Sequence, residues 1–439
     1  MTSTPPERFR GRRALRSRVA LTAGRAAGWA SRATGRGAGA QVSGRVMLRI
    51  DPTLIRSLAT DKRVLVISAT NGKTTTTRLL RAILEAQGEP VASNDTGANL
   101  ASGIASALAR TAPSSFCVLE VDERALPRIY NALRPELLVL GNLSRDQLDR
   151  FGEVHTMANA WRAMLDTHPG QVVIANATDP SIAWAAAPAN TTWVQLPPGW
   201  RDDATTCPQC GALLHFDGPS YTCVTCAWHN PDATIALDEH ILTLHHPTAP
   251  EGAPRHQQIP LTLSLPGRWN LENAALAIAA ATQLGIRPAH AAAAAQTVGA
   301  VSGRYTQYSL ADGRPARVML AKNPAGWSEV LEYLRDGDAA IVLTINARAA
   351  DGKDPSWLWD VPYELLAGKT VAAAGERALD VAVRLRHAGV ECTVFEDPLD
   401  AAHHLPGRRI EIVASYTQFH ALTRRLHRSI IAPSAEEIS

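Results

Sequence analysis

Long apolar runs are missing from this 439-residue chain. No stretch reaches the roughly 18 uninterrupted apolar residues of a membrane-spanning helix, and the continuous apolar core of a secretory signal is also lacking, so the cytoplasm is the expected compartment. Acids are nearly absent from the first fifty positions, which hold eleven Arg and one Glu, a charge of +10. The remaining positions carry 33 basic and 40 acidic side chains, or −7, so the net +3 conceals a basic leader on a mildly acidic body. In that leader Arg8, Arg10, Arg12, Arg13, Arg16 and Arg18 stand among Ala, Leu and Val. This pattern fits an amphipathic helix drawn to anionic lipid headgroups, a transit-like segment, or a solvated helix. Peripheral attachment at the inner face of the membrane therefore stays open.

Cysteine is scarce, with six in the chain, and spacing gives four of them a meaning. Cys207 and Cys210 frame one Cys-x-x-Cys, and Cys223 and Cys226 frame another after twelve intervening residues. Two such knuckles suit tetrahedral ligation of Zn2+, and four thiolates saturate the ion, which favours a structural role. Two disulfides or a redox pair are the alternatives. No nucleophile elbow surrounds Cys117 or Cys392, and both read as core cysteines. The ribbon also lacks a basic, aromatic face, with His215, Asp217 and Tyr221 between its knuckles, so nucleic acid is not an expected partner.

What the chain does have is a phosphate-gripping turn. Val64 to Ile67 suits a buried strand, Gly72 lets backbone approach phosphate, Lys73 supplies a point charge, and Thr74 offers a hydroxyl to Mg2+. Thr75 to Leu80 then reads as the opening of a helix. The common P-loop pattern wants its first Gly where Ile67 stands, so a chance Gly-Lys-Thr in a strand-turn-helix is the competing reading.

The length is too great for one core, and 46% hydrophobic with 19% charged residues fits a globular enzyme of two or three domains. From Asp61 onward β-rich runs alternate with helical patterns, which predicts a parallel sheet with helices on both faces. The rhythm breaks from Pro197 to about Pro260, as for a metal-stapled insertion, and resumes near Leu261. A second α/β series starts after Gly303-Arg304, with runs at Val318, Ala339, Val371, Cys392 and Ile410. The expected plan is a leader over 1–50, a P-loop domain over 51–303 with a zinc ribbon at about 200–235, and a Rossmann-like α/β domain over 304–439.

Three polar clusters accompany the loop. Leu119-Glu120-Val121-Asp122-Glu123 ends a strand in carboxylates that could hold Mg2+, or merely solvate the strand end. Asn142 to Arg150 follows another strand and could position substrate and phosphate at the sheet's C-terminal edge, or face solvent as a charged helix start. Asn270 and Asn273 open a helix one turn apart, either reading an adenine edge or capping the helix.

Together these segments resemble the Mur ligase family, whose loop reads Thr-Gly-Thr-Asn-Gly-Lys-Thr, whose later motif reads Asp-His-Leu-Asp-Arg and whose helix opens Asn-x-x-Asn. The resemblance covers nearly the whole chain. It implies ATP-dependent phosphorylation of a carboxylate to an acyl phosphate that an amine attacks. It further implies that Thr70, Asn71, Gly72, Lys73, Thr74 and Thr75 carry the phosphates, and that Glu120 or Glu123 joins Thr74 on Mg2+. Asn270 and Asn273 would serve adenine, and Arg304 the interdomain contact to nucleotide. The departures are specific: Gln147 replaces the family's metal-contacting His, Trp161 falls where its carbamylated Lys is expected, and Leu320 to Gly326 replaces its Asp-Tyr-Ala-His-x-Pro.

With the four-Cys insertion, Thr96-Gly97-Ala98-Asn99, Arg145 to Glu153 and Asp351 to Trp357, these changes are similar to the MurT branch, the synthetase subunits of lipid II isoglutaminyl synthases. That resemblance implies amidation of the D-glutamate α-carboxylate of the lipid II stem peptide, with ammonia from a GatD-like glutaminase. Asp354 would complete the partner's catalytic triad, with Lys73 and Glu120 the catalytic residues of the synthetase; Asp351 and Asp360 are weaker candidates, and a solvated turn is the alternative. Trp357 and Trp359 read as interface or core anchors. A stand-alone Mur or folylpolyglutamate-type ligase is the rival reading.

Overall fold

The computed structural model describes residues 7–34, 39–94, 98–112, 115–146, 153–245, 255–299, 307–348 and 351–426, without the side chains of 7–14 and 153. Arg304, Thr96, Gly97 and the segment 147–152, including Gln147, lie outside the described residues.

The chain opens with three helices, α1 (Glu7–Ala33), α2 (Ala40–Ile50) and α3 (Leu54–Ala59). The basic leader is thus a helical hairpin packed on the body. Small residues permit it: a Cβ on Gly24 would stand 2.3 Å from Met47, and one on Gly44 would stand 1.7 Å from the backbone of Ser102. Ser17 Oγ donates to Asp51 at 2.7 Å and ties the base of the hairpin.

The central domain then runs β1 (Arg63–Ser68), α4 (Lys73–Glu85), β2 (Val91–Ser93), α5 (Ala101–Leu108), β3 (Phe116–Glu120), α6 (Leu126–Leu133) and β4 (Leu137–Leu140). It continues with α7 (Glu153–Asp166), β5 (Val172–Asn176), α8 (Pro180–Ala186) and β6 (Asn190–Gln195). A small hairpin follows, β7 (Leu214–Asp217) and β8 (Ser220–Cys223), and then β9 (Ile235–Asp238), β10 (Ile241–His245) and β11 (His256–Pro260). Two Ala-rich helices close the domain, α9 (Arg268–Gln283) and α10 (Pro288–Gln296).

The sheet order is β11-β10-β9-β6-β5-β4-β1-β3-β2. The pairings from β2 across to β9 are parallel, and β9, β10 and β11 are antiparallel. Strands β1, β3 and β4 are apolar on both faces because α4, α9 and α10 cover one side and α5 to α8 the other. The break in rhythm up to Pro260 is therefore only partly an insertion. Strands β9, β10 and β11 form the antiparallel edge of the main sheet, and their alternating burial differs from the continuous apolar runs of buried parallel strands.

The C-terminal domain comprises β12 (Gln307–Ser309), β13 (Pro315–Leu320), α11 (Pro324–Arg335), β14 (Ala340–Thr344), two 3-10 turns (Ser356–Asp360 and Tyr363–Leu366) and β15 (Val371–Ala374). It ends with α12 (Ala378–His387), β16 (Cys392–Phe395), α13 (Pro398–His404), β17 (Ile410–Ala414) and α14 (Tyr416–Arg425). Its order β12-β13-β17-β14-β15-β16 is parallel apart from β12. Three helices of the chain start on an Asx-Pro pair, Asp179-Pro180, Asn323-Pro324 and Asp397-Pro398, where the side chain caps the first turn and Pro omits a donor that has no helical partner there.

Candidate active site

The loop between β1 and α4 turns on Gly72, whose φ is +85°. A Cβ there would stand 2.2 Å from Asn273 Oδ1, so position and conformation both demand glycine. Helix α4 starts at Lys73, and its first-turn amides lack intrahelical acceptors, which makes an anion site at the C-terminal ends of β1, β3 and β4.

The loop is held from two sides, by the segment after β4 and by α9. Asn142 after β4 accepts from Asn71 N at 2.9 Å and donates to Asn71 O at 3.1 Å. Thr70 Oγ1 accepts from Ser144 N at 3.1 Å. Asn273 accepts from Thr76 Oγ1 at 3.0 Å, so this residue braces the loop from α9. Asn270 is fully buried and its amide donates to Pro266 O at 2.5 Å. Both asparagines thus have packing duties beside the loop.

Lys73 Nζ binds the carbonyls of Ala69 and Thr70 and forms a 3.0 Å ion pair with Glu123. Thr74 and Thr75 are buried in the same turn. Of the two candidate metal carboxylates, Glu120 is 1% exposed at the end of β3, whereas Glu123 lines a cavity of about 550 Å3. That cavity opens directly onto the loop. Thr70, Glu123 and Asp146 form its polar wall, Arg124 and Arg128 bring cations, and Leu100, Ile129 and Met157 supply an apolar side. The two arginines sit four apart around the start of α6, where their exposed side chains gave no motif to the sequence reading.

Trp161, at the place of the expected lysine, is fully buried and donates its indole N–H to Glu123 O at 2.9 Å. It props the strand-end loop and offers no metal ligand.

The C-terminal domain closes on this loop. Asn323 and Asn71 exchange amide hydrogen bonds of 3.2 Å in both directions. Lys322 Nζ meets Asp146 at 2.9 Å, and Asn323 also reaches Asp146 at 3.4 Å. Burial opposes ionisation of Asp146, yet Lys322, with help from Lys73 and Asn323, holds its carboxyl below the usual range. The segment that departs from the family pattern is therefore a brace for the P-loop.

Arg145 links three units. It pairs with Asp203, which also accepts from Arg145 N and Trp200 Nε1 at 2.8 Å, and it reaches Asp360 of the C-terminal domain at 3.3 Å. Asp179 caps α8 and accepts from Leu143 N at 2.9 Å, with burial pushing its carboxyl up to about 6. The cap is a local feature of the Asp-Pro pair; the bond from Asp179 to the loop after β4 is a tertiary fact.

Next to Trp200 stands the ribbon. The Sγ atoms of Cys207, Cys210, Cys223 and Cys226 lie within 4.8 Å of one another and can hold one metal ion. Backbone N–H groups of Cys226 and Thr225 donate to Cys223 Sγ, which brings its thiol down to about 6 and favours the thiolate a metal needs. Tyr221 Oη donates to Ala177 O at 3.3 Å and docks the ribbon on the loop after β5.

Two sequence segments match known family models: residues 67–196 match the Mur ligase middle domain, and 320–419 the MurT ligase C-terminal. The chain belongs to the Mur ligase family. It is 29% identical to the lipid II isoglutaminyl synthase (glutamine-hydrolyzing) subunit MurT of Staphylococcus aureus (strain COL), over 87% of this chain and 90% of that one. The subunit of the same name from Streptococcus pneumoniae (strain ATCC BAA-255 / R6) is also 29% identical, over 92% and 95%. In fold, the chain is similar to a pseudomurein peptide ligase type C from Methanothermus fervidus, with TM-score 0.63, 17% identity and coverage of 84% and 79%. MurF from Acinetobacter baumannii gives 0.59 at 15% identity, covering 88% and 80%. Mur-type ligation accounts for a P-loop, strand-end carboxylates and a cavity on one sheet edge.

The contact between the two domains of this ligase contains an acidic cluster. Arg268 lies 3.5 Å from both Glu272 on α9 and Glu332 on α11. Burial pushes Glu272 up to about 7 and Glu329 up to about 8, with repulsion among Glu272, Glu329 and Glu332 opposing Arg268. Carboxyls raised in the folded state favour it while protonated. The contact is strongest near pH 4.5 and weakens as pH rises through 7 and 8. Glu329→Gln is expected to raise the melting temperature at pH 8, leave it nearly unchanged at pH 5, and flatten the profile between them in thermal denaturation.

Proposed function

We propose that this protein is the synthetase subunit of a glutamine-dependent amidating ligase. It would convert the D-glutamate α-carboxylate of the lipid II stem peptide to the carboxamide through an acyl phosphate, using ammonia from a GatD-like glutaminase. The observation that carries the reading is the Lys73–Glu123 ion pair, whose carboxylate lines a 550 Å3 cavity together with Arg124 and Arg128. The names of the relatives that match most of the chain support the substrate and partner.

Mg-ATP supplies a phosphoryl group and charge neutralisation when bound. The α4 amides and Lys73 would receive the phosphates, with Lys73 leaving Glu123 to do so. Thr74 and Glu123, or Glu120 behind it, offer oxygens to Mg2+. Arg124 and Arg128 would orient the substrate carboxylate so that one oxygen attacks phosphorus. Ammonia then attacks the acyl carbon, phosphate leaves, and one proton is lost from nitrogen. Asn71, Asn323, Lys322 and Asp146 hold the domains closed over these groups, which limits water access. Burial of Trp161 where the carbamylated lysine is expected weighs against the stand-alone ligase.

The test is to supply lipid II, Mg-ATP and glutamine with and without a co-expressed glutaminase. A product lighter by about one mass unit, hydroxyl replaced by amine, and seen only with the partner is expected. Gain of a whole amino-acid residue without a partner would establish the rival.

We assign the four thiolates to Zn2+ in a structural role. Metal analysis is expected to give about one zinc per chain. Its removal by a strong chelator is expected to lower the melting temperature by several degrees, because the ribbon backs the Trp200 to Asp203 segment that grips Arg145. A metal-free preparation with two disulfides would overturn the assignment.

A further inference from the structure

Helix α1 has two apolar faces on opposite sides. One is buried: Ala20, Gly24, Gly28 and Ser31 recur at helical spacing against α2. The other faces away from the protein. Leu15 is 64%, Val19 50% and Trp29 69% exposed, and at 100° per residue these three fall within about 80° of one another, with the buried set on the far side. The intervening exposed positions on that stripe are Thr22, Ala26 and Ala33, so no charge interrupts it.

Along one edge of the stripe run Arg18, Arg25 and Arg32, spaced by seven residues and all exposed. Among the described residues none of the three is paired with a carboxylate, and the sequence has no acid between Glu7 and Asp51. The row is continuous and of one sign. Such a surface, an apolar ridge with a tryptophan and a flanking line of arginines, leaves large hydrophobic side chains that nothing among the described residues covers.

We propose that the outward face of α1 docks on an anionic lipid bilayer, with Leu15, Val19 and Trp29 entering the headgroup region and the arginine row lying against lipid phosphates. Charge complementarity selects this occupant. A second copy of the chain, packed on the same face by a two-fold axis, would bring equally basic surfaces together. Tight packing of α1 on α2 makes the surface preformed: Gly28 and Ser43 approach so closely that a Cβ on Gly28 would stand 3.1 Å from Ser43 Cβ. The helix therefore lies flat as a rigid edge, and binding orders no new segment.

The experiment is cosedimentation of the full chain with phosphatidylcholine vesicles and with vesicles in which phosphatidylglycerol replaces part of the lipid, across a salt series. Binding is expected only to the anionic vesicles and is expected to fall with salt. Arg18→Gln/Arg25→Gln/Arg32→Gln should weaken it about a hundredfold at low salt. Leu15→Ser/Val19→Ser/Trp29→Ser should abolish sedimentation while circular dichroism and melting temperature stay close to wild type, because all three side chains are exposed. Trp29→Phe should retain binding but remove a blue shift of tryptophan fluorescence seen on adding vesicles. Absence of wild-type binding to anionic vesicles, binding unchanged in both triple variants, or a concentration-dependent dimer that the serine variant dissolves would each overturn the proposal. Vesicle binding needs neither nucleotide nor substrate, so it stands or falls apart from the amidation reading.

Discussion

Lys73→Ala is expected to lower ATP-dependent turnover by about 10²- to 10³-fold, the range for deleting one preorganised charge that meets a developing anion. The side chain is 9% exposed and its ammonium binds loop carbonyls and Glu123, so its position is set before nucleotide arrives. Removing it leaves Glu123 without its cation at the cavity mouth and should also weaken nucleotide binding. Glu123→Gln separates the two duties. It frees Lys73 from its resting partner, and a retained affinity for nucleotide with a loss of Mg2+ dependence would mark Glu123 as the metal carboxylate. The checks are single-turnover kinetics and nucleotide titration on folded variants. Turnover of Lys73→Ala within threefold of wild type would remove the P-loop from the mechanism.

Asp354→Asn is expected to cut glutamine-dependent amidation by about 10³- to 10⁴-fold, as for loss of the carboxylate that orients a triad histidine, and to leave ammonium-dependent amidation nearly intact. Three aspartates were candidates from sequence, and their surroundings separate them. Asp351 is buried and spends both oxygens on Thr417, at 2.7 Å to the backbone N–H and 2.5 Å to the hydroxyl. Asp360 faces Arg145 across the domain contact. Asp354 is exposed, and Ser356, through its side chain and its backbone N–H at 2.9 Å, holds the carboxyl below the usual range, fixed and ionised at the surface. Asp351→Asn should therefore lower the melting temperature and reduce both activities together. Equal loss of both activities in Asp354→Asn would show a structural role there too. The neighbouring tryptophans divide in the same way: Trp357 is buried against Trp327, and Trp359 is 55% exposed beside His387.

Local signals carried the alternating α/β plan. Val64 to Ile67, Leu137 to Leu140 and Val371 to Ala374 form strands as read, because a both-sides-buried strand is a short apolar run whatever surrounds it. The Gly-Lys-Thr turn and the Cys-x-x-Cys pairs were equally legible, since their chemistry lies in spacing over a few residues. Strands β9, β10 and β11 were not, because an antiparallel edge with one wet face alternates weakly and the nearby cysteines suggested a larger insertion. The leader was read as basic but not as a hairpin. Its packing rests on glycines whose partners lie one helix away or more.

By itself, then, the sequence determined that a phosphate loop opens an α/β domain, that four thiols converge, and that a second α/β unit follows. Tertiary structure alone decided that Asn323 and Lys322 grip the loop, that Glu123 rather than Glu120 faces the cavity, that Arg124 and Arg128 line it, and which aspartate is left at the surface. The reason is physical. Spacing along a chain fixes what lies within a turn of helix or a strand's length, whereas a hydrogen bond between Asn71 and Asn323 exists only once two sheets, each assembled from distant strands, have brought their carboxyl ends face to face.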